Sequence, residues 1–177
     1  MGTKRVGLAR MEALVENLKR DLRMNGTTLT DMKGVEMAAF SAEASSDGTG
    51  GFGESTGIPV PANSIITEVG VVVVTEFAMS GTSTLGIQMG TTDGGSELVA
   101  NDADSLRGSS DAALAVGKGT SSNSAIATSL GGAAALVVAA DTAFSASARS
   151  IFGSVTTSAN NITAGAVRFY VKYVTVV

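Results

Sequence analysis

Apolar and polar residues alternate through three long segments of the chain. In residues 65–77 the odd positions, from Ile65 to Phe77, are mostly apolar, whereas the even positions include Glu68, Gly70 and Glu76. The same two-residue period occurs in "TLGIQMG" (84–90) and in "VRFYVKYVTV" (167–176). Because successive side chains of a strand point to opposite faces, each segment predicts a half-buried strand. For the first segment we expect the odd face to lie in the core.

Shorter apolar segments predict further strands near 97–100, 112–116, 125–130, 134–139 and 151–157. Turn-forming pairs separate them, among them Ser80-Gly81, Gly131-Gly132 and Asn160-Asn161. Short strands at this spacing are typical of sandwiches and barrels, and an eight-stranded jelly roll fits their number. We therefore predict a mainly β protein, with an antiparallel jelly-roll-like β-sandwich as its body over residues 58–177.

A different period occupies the N-terminal segment, which we predict to be an α-helical arm over residues 1–40. Apolar residues alternate there at intervals of three and four, as in the seam of a coiled coil. Two heptads are too few for a stable isolated coiled coil, so the helix needs its own body or a second molecule to pack against. The candidate interface residues of this seam are Leu8, Met11, Val15, Leu18 and Leu22.

Between arm and body lies "SAEASSDGTGGFGESTG", residues 41–57, whose Gly/Ser-rich composition predicts a flexible linker. Gly48, Gly50 and Gly53 have the G-x-G-x-x-G spacing of a dinucleotide-binding turn. Such a turn must open a helix, and "GESTGIPVP" follows here instead. We therefore expect no dinucleotide site and, more generally, no cofactor.

The even face of the first strand carries Val72 and Val74 between Gly70 and Glu76. A second apolar patch on the outside of a sheet is unfavourable in a free soluble protein. The sequence therefore predicts that both valines lie at a subunit contact or beneath a covering segment.

Composition limits the chemistry that the chain can perform. It contains no Cys and no His, which removes disulfides, thiolate nucleophiles and the commonest general base. A serine nucleophile would therefore lack its usual partner, and we expect no enzyme. The formal net charge is -4, and the excess positive charge is confined to the first 36 residues. This balance favours neither nucleic acid nor an anionic membrane as partner.

Acidic residues cluster in "DGGSELVANDADSLRG", residues 93–108. Calcium binds six to eight oxygen ligands, and carboxylates at this spacing could supply some of them. The order of residues is not that of an EF-hand loop, so solvated loop carboxylates are the alternative. We predict no metal site, with Asp93, Asp102 and Asp104 as the weak candidates.

Several segments together resemble small virion proteins of tailed bacteriophages, in particular those of marine podovirus-like phages. They are the start "GTKRVGLARMEALVENLKRDL", the phrase "IPVPANSIITEVGVVVVTEF", the block "GIQMG…DGGSELVA" and the closing "AGAVRFYVKYV". The resemblance covers most of the chain outside residues 105–150. It implies a capsid decoration (cement) protein on the virion surface, or a related head or tail appendage protein, usually a trimer and bound to the major capsid protein. It implies no catalytic residues.

Three functions remain open from the sequence. The first is the decoration protein, in which the β body trimerises and the arm lies on the shell or joins neighbouring trimers. The second is a fibre, spike or tail adaptor, attached to the head or tail, with a host-facing β body. The third is a carbohydrate- or calcium-binding jelly roll outside a virion.

Overall fold

The computed structural model describes residues 36–81, 84–102, 104–107, 113–132, 135–158 and 162–176. It is mainly β, with antiparallel sheets that curl into a half-barrel. The strands are β1 (Glu36–Phe40), β2 (Ala44–Ser45), β3 (Phe52–Gly53), β4 (Ile58–Val60), β5 (Ser64–Met79), β6 (Gly86–Gly90), β7 (Val99–Asp102), β8 (Gly119–Ser121), β9 (Phe144–Ser145), β10 (Arg149–Thr156) and β11 (Ile162–Thr175). Two short helices are α1 (Ser124–Leu130) and α2 (Ala140–Ala143).

The strands form two sheets. The larger sheet has the order β1-β11-β5-β8, with β2 also paired to β11 and β9 to β5. The smaller sheet has the order β3-β10-β6-β7, with β4 also paired to β10. Every pairing between these strands is antiparallel. Strands β5 and β11, the two longest, form the centre of the larger sheet.

One hydrophobic core lies between the inner faces of the two sheets. In the larger sheet, Val69, Val71 and Phe169 are fully buried, as the alternation predicts. The Phe169 ring packs against Gly153 of β10, where an added Cβ would lie 2.4 Å from the ring. Only glycine fits at that position, because any other residue would separate the two sheets. The fully buried members of the smaller sheet are Ile87, Met89, Ile151 and Val155.

Residues 135–139 connect the two sheets along one side of the molecule. The Leu136 amide donates to the carbonyl of Ser121, at the edge of the larger sheet, over 3.0 Å. Two residues later, Val138 forms a β-bridge with Val99, at the edge of the smaller sheet. This segment therefore covers the outer edges of β7 and β8, and residues 135–139 form no regular strand of the kind the sequence predicts.

A bulge in β5 changes the prediction for one end of its apolar face. Lys172 pairs with Glu68 and the next residue, Tyr173, pairs with Ile66, so Thr67 is an extra residue in β5. The bulge shifts the alternation by one. Ile66 is therefore buried, whereas Ile65 is 38% exposed on the outer face. The expectation that the core face begins at Ile65 is wrong for this reason.

The segment predicted as a strand at 125–130 is instead helix α1. Asn123 caps it by accepting a hydrogen bond from the Ala125 amide (3.1 Å), and Gly131 ends it in the left-handed conformation. Both capping residues are visible in the sequence, and they outweigh the weak apolar pattern between them. The predicted strand near 112–116 is also absent from residues 113–116, where Ala113 forms only an isolated bridge with Arg107.

Residues 41–57, predicted as a flexible linker, are attached to both sheets. Strand β2 pairs with β11, and strand β3 pairs with β10. Within this segment Ala44 and Glu54 are buried, and the Glu54 carboxylate accepts hydrogen bonds from the amides of Thr56 (2.9 Å) and Gly57 (2.8 Å). The Gly/Ser-rich composition reflects tight turns here, because Gly48, Gly50 and Gly57 have positive φ.

The predicted helical arm lies almost wholly outside the described residues. Leu8, Met11, Val15, Leu18 and Leu22 are among residues 1–35, which the structure does not describe, so their role as interface residues stays a prediction. The last five residues of the predicted arm, Glu36–Phe40, form strand β1, which belongs to the larger sheet of the body.

Candidate functional site

The outer face of the larger sheet, which points away from the core, is the candidate site. We use this name for the outward side chains of β1, β11, β5, β8 and β9. The pairing registers arrange them in rows across the strands. From one end of the sheet to the other, the rows are Glu36, Val174, Ile65 and Phe144; then Ala38, Lys172 and Glu68; then Phe40, Tyr170, Gly70 and Ser121; then Arg168, Val72 and Gly119.

A buried carboxylate occupies the centre of this outer face. Glu68 is only 5% exposed although it points away from the core. One of its oxygens, Oε1, accepts hydrogen bonds from the hydroxyls of Ser121 and Tyr170, each over 2.7 Å. The other oxygen, Oε2, lies 2.7 Å from the Lys172 ammonium. The Glu68 network therefore ties together three adjacent strands, β8, β5 and β11.

The pKa values of the network follow from these contacts. Burial raises the pKa of Glu68, but the hydrogen bonds from Lys172, Ser121 and Tyr170 outweigh burial and leave this pKa below its ordinary value. The hydrogen bond to Glu68 raises the pKa of Lys172. Burial, followed by the contact with the Glu68 carboxylate, raises the pKa of Tyr170 to about 12. At neutral pH the network therefore contains an ionised pair and a neutral phenol.

Tyr170 is held by packing as well as by its hydroxyl. Its ring lies directly over Gly70 of β5, where an added Cβ would be 2.4 Å from the ring carbon Cζ. On the other side it contacts Phe40 of β1, with ring centroids 5.8 Å apart at 42°. Tyr170 is buried, whereas Phe40 is 60% exposed. The two rings therefore form one aromatic surface, in which the Tyr170 ring is packed against the sheet and the Phe40 ring is exposed at its edge.

Apolar side chains flank the Glu68 network along the strands. At one end, Ile65 pairs with Phe144 of β9, and these side chains are 38% and 49% exposed. At the other end, Val72 and Val74 are half-buried. The structure thus places neither valine fully in water, and their predicted role at a subunit contact stays open. Neither Val72 nor Val74 lies in the core.

The pKa shifts in the Glu68 network favour the ionised carboxylate of Glu68 and the protonated forms of Tyr170 and Lys172. Tyr170, Lys172 and Ser121 lie together, but a phenol with a raised pKa stays protonated and does not accept a proton at neutral pH. The Glu68 carboxylate has a lowered pKa and all its close donors are protein groups, so it is a weak base. The arrangement therefore favours a mechanical role, in which the network fixes the shape of the outer face.

The weak metal candidates lie at the end of β7 and in the turns that follow β6 and β7. Asp93 is in the turn after β6, Asp102 ends β7, and Asp104 follows in the next turn, where its carboxylate lies 3.7 Å from Nε of Arg107. Within the described ranges, no three acidic residues are grouped as a metal site would require. Glu97 accepts a hydrogen bond from the Thr91 amide (3.1 Å), which anchors the same loop.

Sequence reasoning identified Val72 and Val74 but missed the Glu68 network and Phe40. The signal for the network was partly present, because Glu68 and Lys172 each interrupt an apolar strand at an outward position. Recognising it requires the register that places these two residues opposite each other. Phe40 was hidden because its segment was assigned to the arm.

Among the described helices, none is long and apolar enough to cross a membrane. No protein-family model, no curated protein and no solved structure matches the chain.

Proposed function

We propose that the protein is a virion structural protein, a capsid decoration (cement) protein that oligomerises as a trimer and stabilises a phage head by binding the major capsid protein. In this proposal the body is a jelly-roll-like β-sandwich, the N-terminal segment is a helical arm, and the protein has no enzymatic activity. The virion assignment rests on the resemblance of the segments quoted above. The structure supports the part of the proposal that concerns binding to other protein molecules.

The strand order supports the jelly-roll part of this proposal. A jelly roll has eight strands wound as two Greek keys, which makes two four-stranded sheets. If β3 and β4 are counted as one strand and the two-residue strands β2 and β9 are set aside, the described residues form eight strands. The first, last, third and sixth form one sheet, and the second, seventh, fourth and fifth form the other. That is the order that winding an antiparallel hairpin into a jelly roll produces.

The observation that carries the binding function is the outer face of the larger sheet. Its centre is an ion pair between the buried Glu68 and the partly exposed Lys172, and its flanks are half-buried or exposed apolar side chains. Interfaces combine rigid aromatic anchors with apolar surface that is desolvated on binding. Phe40 and Tyr170 supply the aromatic element, and Val72 and Val74 supply apolar surface.

Binding to the shell is the direct test of this proposal. Phage heads depleted of the protein are mixed with recombinant full-length chain and sedimented. We expect the wild type to pellet with the heads, and a Val72→Glu/Val74→Glu variant to stay in the supernatant. A control with two charges on helix α1, Ala125→Glu/Ser129→Glu, should pellet like the wild type, since both residues are exposed there.

Circular dichroism must show that the double-glutamate variant is folded. A milder pair, Val72→Thr/Val74→Thr, keeps the test informative if it is not. Wild-type chain that does not pellet with the heads would contradict the decoration function. Equal pelleting of the folded variants and the wild type would instead show that binding to the heads does not depend on the outer face.

A further inference from the structure

The edges of the two sheets are protected to different degrees. Unpaired backbone groups at a sheet edge can pair with another chain, and proteins usually cover or interrupt such edges. On one side, residues 135–139 cover β7 and β8. At the edge formed by β4, the strand has three residues and contains Pro59, which has no N–H to donate. In the described part of the chain, β1 (Glu36–Phe40) has neither kind of protection.

Strand β1 is the terminal strand of the larger sheet, and β11 is its one neighbour in the described strand order. Its five residues, EMAAF, include no proline and no lysine, and its pairing with β11 is continuous without a bulge. Apart from the charge of Glu36 at its first position, nothing in its sequence or local geometry therefore discourages a further strand from pairing with it.

The hydrogen-bonding pattern shows which backbone groups of β1 are directed outward. Just after β1, the Ser41 amide donates to the carbonyl of Phe169 on β11 over 2.9 Å. Ser41 and Phe169 are therefore opposite each other, and the backbone groups of Ser41 face β11. Hydrogen-bonded pairs alternate along an antiparallel ladder. Ala39 and Met37 therefore also face β11, while the backbone N–H and C=O groups of the other three residues, Glu36, Ala38 and Phe40, point away from the sheet.

We propose that β1 is a self-pairing edge, which binds the β1 strand of a second copy of this chain in antiparallel orientation about a two-fold axis at Ala38. In this register Ala38 lies opposite Ala38 of the second copy, and Glu36 lies opposite Phe40. These are the residues whose backbone groups point outward, so each pair exchanges two backbone hydrogen bonds. The larger sheets of the two copies become one continuous sheet.

The side chains of β1 suit this symmetric register. Its one charged residue, Glu36, falls opposite Phe40, and the two Glu36 carboxylates lie about 14 Å apart along the strands, where salt screens them. Phe40, which is 60% exposed, gains a neighbour in Ala38 of the second copy. The small Ala38 side chains at the axis leave space for both rings. The pattern is thus complementary to itself, which is the requirement of a two-fold contact.

The Glu68 network prepares this edge for binding. Tyr170 pairs directly with Phe40 and is immobilised by Gly70 beneath it and by Glu68 at its hydroxyl. A contact that forms on a rigid surface costs less ordering than one that must first be immobilised. This inference goes beyond the proposed function, since pairing between copies requires no shell. In the proposed trimer, a two-fold contact would link one trimer to the next.

The absence of cysteine from the chain makes a disulfide test possible. Paired residues that exchange hydrogen bonds have Cα atoms about 5.5 Å apart, within the range that a disulfide spans. Under mild oxidation without heads, the full-length Ala38→Cys variant should form a disulfide-linked dimer. Pairing raises the local thiol concentration from about ten micromolar to about one millimolar, so the dimer should form roughly a hundredfold faster than in Ala125→Cys, a control on exposed helix α1. Equal rates in the two variants would overturn the proposal.

Proline substitution distinguishes outward from inward backbone groups on the same strand. Ala38→Pro removes an N–H that points away from β11, so the chain should stay folded but elute as a smaller species in size-exclusion chromatography. Ala39→Pro removes an N–H that faces β11 and should lower the unfolding midpoint in urea. A folded Ala38→Pro variant with the wild-type elution volume would contradict self-pairing. If Ala38→Pro does not fold, the cysteine cross-link alone decides.

Discussion

Neighbouring residues of β5 and β11 point to opposite faces of the larger sheet, and the two faces have different chemistry. On the inner face, Val71 and Phe169 are fully buried among other apolar side chains. On the outer face, the adjacent residue Val72 is half-buried, and Tyr170 donates a hydrogen bond to the Glu68 carboxylate of an ion pair. The inner face supplies folding free energy through burial. The outer face fixes a shape, which is a property that binding needs more than folding does.

The largest expected difference between the faces concerns the two aromatic neighbours on β11. Phe169→Ala removes the ring that packs on Gly153 and should lower the free energy of unfolding by about 3–5 kcal/mol. Tyr170→Phe keeps the ring over Gly70 and removes the hydrogen bond to the charged Glu68 carboxylate, at a smaller cost of about 1.5–3 kcal/mol. Urea denaturation of both variants measures the difference. Equal losses would contradict the division of roles between the faces.

The Glu68 network should be the one outer-face feature with a large effect on stability. Glu68→Gln loses the charge that binds Lys172, Ser121 and Tyr170, and we expect a loss of about 1.5–3 kcal/mol because charged hydrogen bonds are the stronger ones. Glu76→Gln on the same strand is the matched control, since Glu76 is exposed and should change stability by less than about 0.5 kcal/mol. If both variants unfold at the same urea concentration, the Glu68 network does not stabilise the folded chain.

The same substitution at two adjacent valines compares the inner face with the outer face directly. Val71→Thr buries a hydroxyl in the core and should cost about 1–3 kcal/mol. Val72→Thr places the hydroxyl on the outer face and should change the free energy of unfolding by less than about 0.5 kcal/mol at concentrations where the chain is dissociated. Thermal unfolding of dilute samples gives both values. A larger loss in Val72→Thr than in Val71→Thr would reverse the assignment of the two faces.

The pH dependence of stability should separate the network from the rest of the protein. Because the pKa of Glu68 is lower in the folded state than in the unfolded state, its contribution is fully present above the ordinary glutamate pKa of 4.5. The contribution decreases as the pH falls below 4.5, and it is lost once the pH has also fallen below the lower pKa that Glu68 has in the folded state. The stability difference between wild type and Glu68→Gln should therefore shrink on acidification. A constant difference over this range would show that Glu68 does not titrate as described.

The smallest effect is spectroscopic and lies at high pH. The chain has two tyrosines, so Tyr173→Phe leaves the tyrosinate absorbance of Tyr170 alone. Its pKa is raised to about 12, which means that the neutral phenol contributes stability below the ordinary pKa of 10.0 and that this contribution is lost as the pH rises between these values. The absorbance should therefore appear later than in unfolded protein. In the Tyr173→Phe/Glu68→Gln variant, it should appear at lower pH.

The sequence predicts the parts of the fold that depend on one strand at a time. Alternation located β5, β6 and β11 and the core role of Val69, Val71 and Phe169, because a period of two is visible without knowing any partner. The bulge at Thr67 was not predictable, since a bulge is a property of two paired strands and not of one. The exposure of Ile65 therefore came from the pairing with β11.

The same distinction explains the candidate site. Val72 and Val74 were identified from one strand, as apolar residues on the wrong face. The Glu68 network needs three strands in register, and strand order does not follow from local patterns. Helix α1 shows the opposite case, because Asn123 and Gly131 are local capping signals that a stricter use of helix boundaries would have found.

In the proposed oligomer, the outer face of the larger sheet joins copies of the chain. Sedimentation velocity of the full-length chain, beside the Val72→Glu/Val74→Glu variant, tests it most directly. We predict that the wild type sediments as a compact oligomer and that the folded variant sediments as a smaller species. A monomeric wild type, or an oligomer of unchanged size in the folded variant, would contradict the claim that this face joins copies of the chain.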